Sequence, residues 1–379
     1  MYTFTTTKQI RLSVAFALTF IAIASLRITT QGLYYDEVHQ ATASFAYQGS
    51  PSKMFSAFDI AGFPVLNMPY SGAIKTSIYG IYLKFFGAKF SILSWRLTGI
   101  IIAGFGLLIF YINISNHLRP AAHSFLHFLI VTDMTILLTV RHDWGPVALS
   151  FFIRLLFIGI WIKFERIPPV SHWIPFTAGF LAGAAIYEKL SALALVPSFL
   201  YIISSSRERS QLKTVCWKFA FGGLIGASPL VFANSYSLFS SGSLISLKAS
   251  PEVFHHSFKD IIFYAYNQLS LGSGTLASQF ILETSDTVHA ATEALSLSIL
   301  LLITSLFSFI YNSNSETFRI PRIMLICYFI TVFAIFIFPK KIWLHHWILA
   351  TPYQYAALAF SAAPIIKQGA LKDEFEDLI

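Results

Sequence analysis

Ten apolar runs, most of them about 17 residues or longer, are the feature that most restricts how this chain folds. An α-helix needs about 20 mostly apolar residues to cross the hydrocarbon core of a bilayer, so runs of this length predict transmembrane helices. The composition agrees, since 55% of the 379 residues are hydrophobic and only 12% are charged, against about 25% charged in soluble domains. We therefore predict an all-α polytopic membrane protein, one domain over residues 1–379, with spans near residues 11–29, 97–115, 123–140, 146–163, 172–187, 190–206, 219–235, 292–311, 322–338 and 347–366.

The charges between the runs predict the orientation of the chain. If Lys8 and Arg11 lie in the cytoplasm, the even-numbered connections are all cytoplasmic, short and basic, as the positive-inside rule requires. These connections contain His117 with Arg119, Lys163 with Arg166, Arg207 with Lys213, Arg319 with Arg322, and Lys367 with Lys372. The net charge of +8 then reflects topology and contacts with anionic lipids rather than nucleic-acid binding. The first run also resembles a secretory signal, and we favour a retained anchor over cleavage.

Two longer segments lie on the outer side in this topology. Residues 30–95 form a long first outer loop, in which we predict two surface helices, one starting at Asp36 and one near Ser71. Residues 71–87 are apolar but contain Lys75 and Lys84, and counting them as a span would reverse the later connections. We therefore predict that this second helix lies in the membrane interface. Residues 236–291 form the second large outer segment.

Ionisable residues gather at the predicted outer ends of the spans. An acidic pair, Asp36-Glu37, follows the first run, although carboxylates near a bilayer are costly to desolvate. Cations suit a phosphate-bearing lipid, and a carboxylate suits removal of a proton from an attacking hydroxyl. The candidate carboxylates are Asp36, Glu37 and Asp143, and the candidate phosphate contacts are Lys75, Arg96, Lys189, Lys341 and His346. The three carboxylates are also candidate ligands of a divalent metal ion, and the sequence leaves the need for one open.

Each of these residues also has a purely structural interpretation. Asp36 is favoured as an N-cap residue, and Glu37 suits the first turn of a helix by its charge. Asp143 is placed to cap the fourth span. Lys189 with Glu188 would make an ordinary interfacial pair, whereas Lys341 and His346 are typical of polar residues at a span end.

The order of these residues resembles that of the membrane-embedded glycosyltransferases that use polyprenyl-phosphate sugars, the GT-C group. That group includes protein O-mannosyltransferases and lipid A aminoarabinose transferases. The similar elements, in chain order, are Tyr35-Asp36-Glu37 after the first span, Phe86-Gly87 before Arg96-Leu97, Arg141-His142-Asp143-Trp144-Gly145-Pro146 in an outer turn, Lys189 after the fifth span, and His345-His346 before Pro352. The resemblance covers the first 240 residues well and the rest loosely.

The resemblance implies inverting transfer of a sugar from a polyprenyl-phosphate donor to an acceptor hydroxyl, at the outer face of the cytoplasmic membrane. It implies that Asp36 is the catalytic base, that Asp143 assists and that Lys189 contacts the donor phosphate. The chain departs from the group where Met68-Pro69-Tyr70 replaces a Lys-Pro sequence, which puts the role of Lys75 in doubt. The acceptor-binding soluble domain of some relatives is also expected to be missing.

Two other function classes remain as alternatives. A transporter or lipid flippase would show inverted repeats and broken helices, and neither is evident in the sequence. A non-catalytic scaffold of an envelope complex is the third interpretation. Asp133 and Arg154 are intramembrane charges that a transporter would use as a relay. Because they lie at similar depths on consecutive antiparallel spans, we predict instead that they form a buried ion pair.

Overall fold

The computed structural model describes residues 7–50, 56–143, 147–164, 173–205, 211–247, 257–260, 319–337, 346 and 348–368. Of the residues described, 80% are helical. Three helices in this part of the chain are long and apolar enough to cross a membrane, or up to five spans if each of two bent helix pairs counts as one. The prediction of a largely helical chain with candidate membrane spans is thus confirmed, whereas the number of ten spans stays a prediction. The predicted span near 292–311 lies outside the described residues.

The helices overlap the predicted runs, but two of those runs, 123–140 and 219–235, are each divided between two bent helices. They are α1 (Thr7–Ala24), α2 (Tyr35–Ala43), α3 (Ile74–Phe86), α4 (Ile92–Ile114), α5 (Pro120–Thr132), α6 (Met134–His142), α7 (Val147–Phe164), α8 (Trp173–Glu188), α9 (Val196–Ser205), α10 (Leu212–Gly226), α11 (Ser228–Ser241), α12 (Arg319–Ile337) and α13 (Thr351–Gln368). Short 3₁₀ helices cover Ser44–Gln48, Leu190–Leu195 and Ile245–Leu247. The membrane candidates are α1, α4 and α12, together with the bent pairs α5–α6 and α10–α11.

Glycine residues allow α8 and α10 to pack backbone against backbone. A Cβ atom added at Gly183 would lie 2.1 Å from the carbonyl oxygen of Gly223, and one at Gly222 would lie 2.1 Å from that of Phe176. Small residues at helix interfaces permit this close approach, which stabilises helix pairs in membranes through van der Waals contact. The α8–α10 pair therefore gives the C-terminal end of α8 a rigid position.

The segment predicted as the first outer loop contains strands as well as helices. Helices α2 and α3 occupy the places of the two expected surface helices, but a small antiparallel sheet lies between them: β1 (Phe58–Ile60), β2 (Phe63–Met68) and β3 (Ser71–Gly72). In its register Phe58 pairs with Leu66, and Leu66 pairs with Gly72. Such short strands carry little signal in a sequence where apolar residues are common everywhere, so the sheet was not predicted. The sheet orients the chain that enters α3.

The predicted third span is broken at Asp133. Helices α5 and α6 meet there at an angle of 59°, and α10 and α11 meet at 68°. The Asp133 carboxylate caps α6, accepting hydrogen bonds from the backbone N–H groups of Thr135 (2.8 Å) and Ile136 (3.1 Å). Its second oxygen accepts a hydrogen bond from the Tyr355 hydroxyl. The expectation that broken helices are lacking is therefore wrong.

The predicted Asp133–Arg154 ion pair is also wrong. No ion pair in the described ranges includes either residue. The hydrogen bonds to the cap and to Tyr355 occupy the Asp133 carboxylate, while Arg154 donates to the carbonyl oxygens of Ser150 (3.0 Å) and Ile348. Equal depth on two consecutive helices places charges at one level, but it does not turn them towards each other.

Candidate functional site

A buried ion pair anchors α2 to α4 at one edge of the candidate site. Both Glu37 and Arg96 have no exposed surface, and the guanidinium Nε and Nη2 donate to the two carboxylate oxygens at 2.9 and 2.7 Å. Glu37 also accepts from the backbone N–H of Tyr34 at 2.9 Å, which closes a capping box at the start of α2. Burial raises the pKa of Glu37, but the nearby His142 and the hydrogen bonds from Arg96 and Tyr34 outweigh it and bring the pKa below its usual value.

Arg96 has no N–H group left for a ligand. Besides its two bonds to Glu37, Nη1 donates to the carbonyl oxygens of Ile28 (2.7 Å) and Gln31 (3.0 Å), and Nη2 donates to that of Gly32 (2.6 Å). An arginine side chain carries five N–H donors, and here all five are used. Arg96 was predicted to contact the phosphate of the donor lipid, but in this arrangement it has no N–H group available for that contact. Its bonds instead tie the chain after α1 to α4.

A second buried ion pair joins α3 to the turn between α6 and α7. Lys75 Nζ lies 2.6 Å from Asp143 Oδ2, and it also sits over the Trp95 ring at 3.9 Å from the ring centre. Asp143 has a left-handed backbone (φ 47°, ψ 48°), which ends α6, and Asp tolerates this conformation better than most residues. Its Oδ1 accepts from the backbone N–H of Ala148 at 3.0 Å, in the first turn of α7.

Asp143 therefore caps α7, which was the structural interpretation of this residue, and it also forms the ion pair with Lys75. The same residue is held from α2, because the Gln40 side chain donates to the Asp143 carbonyl oxygen at 3.4 Å. The carbonyl oxygen of Gln40 in turn accepts from the Thr76 hydroxyl at 2.9 Å. With both carboxylate oxygens occupied and no exposed surface, Asp143 joins α2, α3, α6 and α7.

Glu188, at the end of α8, caps α3 from a distant part of the sequence. Its Oε2 accepts from the backbone N–H of Ile74 at 3.0 Å. A carboxylate at a helix N-terminus satisfies free N–H groups and the positive end of the helix dipole. Burial raises the pKa of Glu188 to about 7. The interfacial pair suggested for Glu188 with Lys189 is not formed, because no ion pair in the described chain joins them.

This cap fixes the position of Lys189. Ser71 of β3 forms an antiparallel bridge with Lys189, and the backbone N–H of Leu190 donates to the Tyr70 carbonyl oxygen at 3.0 Å. The start of α3, the edge of the small sheet and the turn after α8 therefore form one unit. Gly72 is required here, because a Cβ atom would lie 2.8 Å from the carbonyl oxygen of Tyr187.

Lys189 itself is a buried cation with few partners. Its exposed fraction is 9%, and Nζ lies 4.8 Å from the centre of the Tyr70 ring. Within the ranges that the structure describes, no carboxylate lies within the 4.0 Å of an ion pair and no hydrogen bond is made by Nζ. Burial lowers the pKa of Lys189, although the charges of Asp36, Asp143 and Glu188 oppose this. A cation in this state favours an anionic ligand.

Asp36 is the carboxylate that the helix leaves free. Tyr34, not Asp36, is the N-cap residue of α2, so the interpretation of Asp36 as a cap alone does not hold. The side chain is partly exposed, and it makes no hydrogen bond within the described part of the chain. It interacts electrostatically with Lys189 and with the Tyr70 hydroxyl. The charges of Asp36 and Lys189 are thus near enough to interact.

The remaining predicted residues are placed as follows. His346 is half-buried and interacts electrostatically with Lys189, and burial lowers the pKa of its imidazole to about 3, so the ring is neutral. Lys341 lies outside the described residues. The metal-ligand set is not assembled, since among the described side chains no three of the His, Cys, Asp and Glu type come close enough together to hold a metal ion. Glu37 and Asp143 are each committed to a buried cation.

Three residues of the site were not predicted to act in it. Glu188 was considered only as a partner of Lys189, Tyr70 was mentioned only as part of a departure from the family pattern, and Gln40 was not considered. The sequence contained a sign that Glu188 has a structural role, because a carboxylate at the end of an apolar run needs a partner. The Tyr70–Leu190 and Gln40–Asp143 hydrogen bonds join residues more than a hundred positions apart, which one sequence does not show.

Comparison of the chain with protein-family models, with curated proteins and with solved structures finds no match. Its function is therefore inferred from the geometry of the site and the order of its residues.

Proposed function

We propose that this protein is an inverting glycosyltransferase, which moves a sugar from a polyprenyl-phosphate donor to an acceptor hydroxyl at the outer face of a membrane. One observation carries the proposal. Asp36 and Lys189 are a free carboxylate and a buried cation without an anionic partner among the described residues, and they lie close enough to interact. The neighbouring charges, by contrast, are paired with each other. Such a cation can bind the phosphate of the donor, and such a carboxylate can take the proton of the acceptor hydroxyl.

The reaction that we assign to this pair is a single displacement. Lys189 holds the phosphate of the donor lipid and stabilises the negative charge that grows on it as the bond breaks. The acceptor oxygen attacks the anomeric carbon from the opposite side, and Asp36 takes the proton of the acceptor hydroxyl. A carbon–oxygen bond forms to the acceptor while the bond to phosphate breaks, so polyprenyl phosphate leaves with the bonding electrons and the configuration inverts.

The other predicted residues support this pair instead of touching the substrate. The Arg96–Glu37 pair holds the start of α2, and therefore the backbone of Asp36. The Lys75–Asp143 pair holds the start of α3, which Glu188 links to Lys189. We therefore assign Glu37, Arg96, Lys75 and Asp143 positioning roles. His346, beside Lys189, remains a candidate phosphate contact.

Helix α3 supports a location at the membrane surface. Its buried face contains Lys75 and Tyr79. Its exposed face is apolar except for Lys84, and the exposed fractions of Phe85 and Phe86 are 82% and 70%. A helix with such an exposed face is stable when that face enters the lipid interface. Together with the predicted positive-inside topology, this supports a position of Asp36 and Lys189 at the outer surface, where a lipid-linked donor would be presented.

The proposal is tested with the purified protein in lipid vesicles and labelled polyprenyl-phosphate sugars. We expect release of free polyprenyl phosphate in step with transfer of the label to an added acceptor. A panel of donors with different sugars identifies the sugar, because only a productive donor releases polyprenyl phosphate. Binding of donor lipid without any release, with acceptors of protein, lipid and glycan classes all tried, would overturn the transferase proposal.

A transporter or lipid flippase is the second candidate, and the broken helices favour it. Both α5–α6 and α10–α11 bend by more than 40° at a break, and discontinuous helices are typical of transporter binding sites. The same vesicles separate the two functions. A flippase moves labelled lipid between the leaflets without releasing polyprenyl phosphate, whereas a transferase releases it.

A further inference from the structure

The guanidinium of Arg154 is a second buried cation, inside the helix bundle and apart from the site above. Its exposed fraction is 0%, and no ion pair in the described residues includes it. Its Nε donates to the carbonyl oxygen of Ser150 at 3.0 Å, and Nη1 donates to that of Ile348. Nη2 is buried and finds no acceptor among the described residues. Arginine keeps its charge in proteins, and an uncompensated buried charge costs several kcal/mol.

The N-terminus of α13 lies beside this cation. Ile348, which accepts the bond from Arg154, also accepts from the backbone N–H of Thr351, the first residue of the 18-residue helix. The first turn of α13 contains no acidic residue, so the positive end of its dipole is not neutralised there. A guanidinium and a helix N-terminus thus add their positive fields at one buried place.

Unused hydroxyl groups accompany the two positive groups. The side-chain oxygens of Thr351, Tyr353 and Ser150 are all buried, and none has a hydrogen-bond partner among the described residues. Tyr353 interacts electrostatically with Arg154, Ser150 lies one turn before it in α7, and Thr351 begins α13. Buried polar groups are nearly always hydrogen-bonded, so several unused donors around one charge need an explanation.

We propose that this place is a binding site for a small monovalent anion, chloride in the first instance. An anion there neutralises the guanidinium and accepts hydrogen bonds from Nη2 and the neighbouring hydroxyl groups. It also lies near the positive end of the α13 dipole. The backbone N–H groups of Thr351 and Tyr353 donate to preceding carbonyl oxygens, so the hydrogen bonds to the anion come from side chains. A single-atom ion suits the position, because the guanidinium has no exposed surface and a phosphate-bearing lipid could not reach it.

This inference does not depend on glycosyl transfer. Arg154 lies about 10 Å along α7 from Val147, the first residue of that helix, and it makes no contact with Asp36 among the described interactions. The expected effect of the anion is on stability, since a ligand that binds the folded state alone stabilises it according to its concentration. It can therefore be measured without any donor or acceptor substrate.

The test measures thermal unfolding of the purified full-length protein in detergent, in sodium chloride and in sodium gluconate at equal ionic strength. We expect the Tm of the wild type to rise with chloride and to saturate, and bromide to replace chloride. Thr351→Val, which removes one unused hydroxyl, should raise the chloride concentration at half-saturation by about tenfold or more. Thr19→Val, at an exposed position of α1, is the matched control and should leave it unchanged.

A second measurement keeps the test independent of how well variants fold. Crystals of the wild type grown in bromide should show an anomalous peak beside the Arg154 guanidinium and the Thr351 hydroxyl, and Arg154→Met should abolish both the peak and the chloride effect. Equal Tm in chloride and gluconate, with no such peak, would overturn the proposal. A chloride effect that persists unchanged in Thr351→Val and Arg154→Met would place the ion elsewhere and overturn it as well.

Discussion

Replacement of Arg96 by lysine is expected to lower the free energy of unfolding by about 3–5 kcal/mol, although the positive charge is kept. Arg96 donates five hydrogen bonds to buried acceptors, two of them to Glu37. A lysine has three donors on one nitrogen, so at least two acceptors lose their partner. Hydrogen bonds to charged groups contribute about 1.5–3 kcal/mol each, and an unsatisfied buried acceptor costs about 1–3 kcal/mol. Two lost bonds account for the expected magnitude.

The assay is unfolding in mixed micelles by titration with a denaturing detergent, followed by tryptophan fluorescence. Arg11→Lys makes the same chemical change at an exposed position of α1, and it should alter stability by less than about 0.5 kcal/mol. Loss of both partners in Arg96→Met/Glu37→Met should cost less than the sum of the two single changes, because neither charge is then left unpaired. Arg96→Lys with wild-type stability would show that the five bonds do not anchor α2, and the positioning role of Arg96 would fail.

Three further predictions concern packing, the donor site and pH. Gly222→Ala should destabilise the α8–α10 pair by about 1–3 kcal/mol, whereas Gly223→Ala, one residue later with its nearest contact at 3.6 Å, should be neutral or stabilising in the same unfolding assay. Lys189→Ala should weaken donor-lipid binding by about 10- to 100-fold in a lipid titration, and Lys189→Arg should weaken it less. Burial lowers the pKa of Lys189, so the affinity of the wild type for donor lipid should fall as the pH rises through that lowered pKa. Burial also raises the pKa of Glu188 from 4.5 to about 7, so the folded state binds more protons than the unfolded state between these values. Wild-type stability should therefore fall as pH rises across that window, by at most about 1.4 kcal/mol per pH unit, and Glu188→Gln should lack this slope; equal slopes in the two proteins would contradict the assignment.

Long apolar runs predict helices well, because hydrophobic length and the need to satisfy backbone groups in lipid leave few alternatives. The bounds of α1, α4 and α12 follow their predicted runs. The break at Asp133 was missed because a single polar residue in an apolar run was treated as a charge that needs a counter-ion. Its carboxylate instead caps the next helix segment, and an Asp after a threonine within such a run is a signal for this.

The candidate site was predicted in part, for reasons visible at particular residues. Asp36 and Lys189 were placed on one face because topology alone brings the outer ends of spans together. The partners of Arg96 and Lys75 could not be predicted, since Glu37 lies 59 positions from Arg96 and Asp143 lies 68 positions from Lys75. Side chains at such separations meet only through the packing of whole helices. Lys75, Arg96, Glu37 and Asp143 were therefore predicted to contact substrate or metal, whereas in the structure they form two ion pairs with each other.

The most direct test of the account is the rate of sugar transfer by Asp36→Asn. We expect a loss of about 10²–10⁴ in rate, with donor-lipid binding and thermal stability close to wild type, because the Asp36 side chain makes no hydrogen bond in the described structure. Asp59→Asn, in β1 of the same outer loop, is the matched control and should keep wild-type rates. Transfer at the wild-type rate by a folded Asp36→Asn protein that binds donor lipid would contradict the assignment of Asp36 as the base.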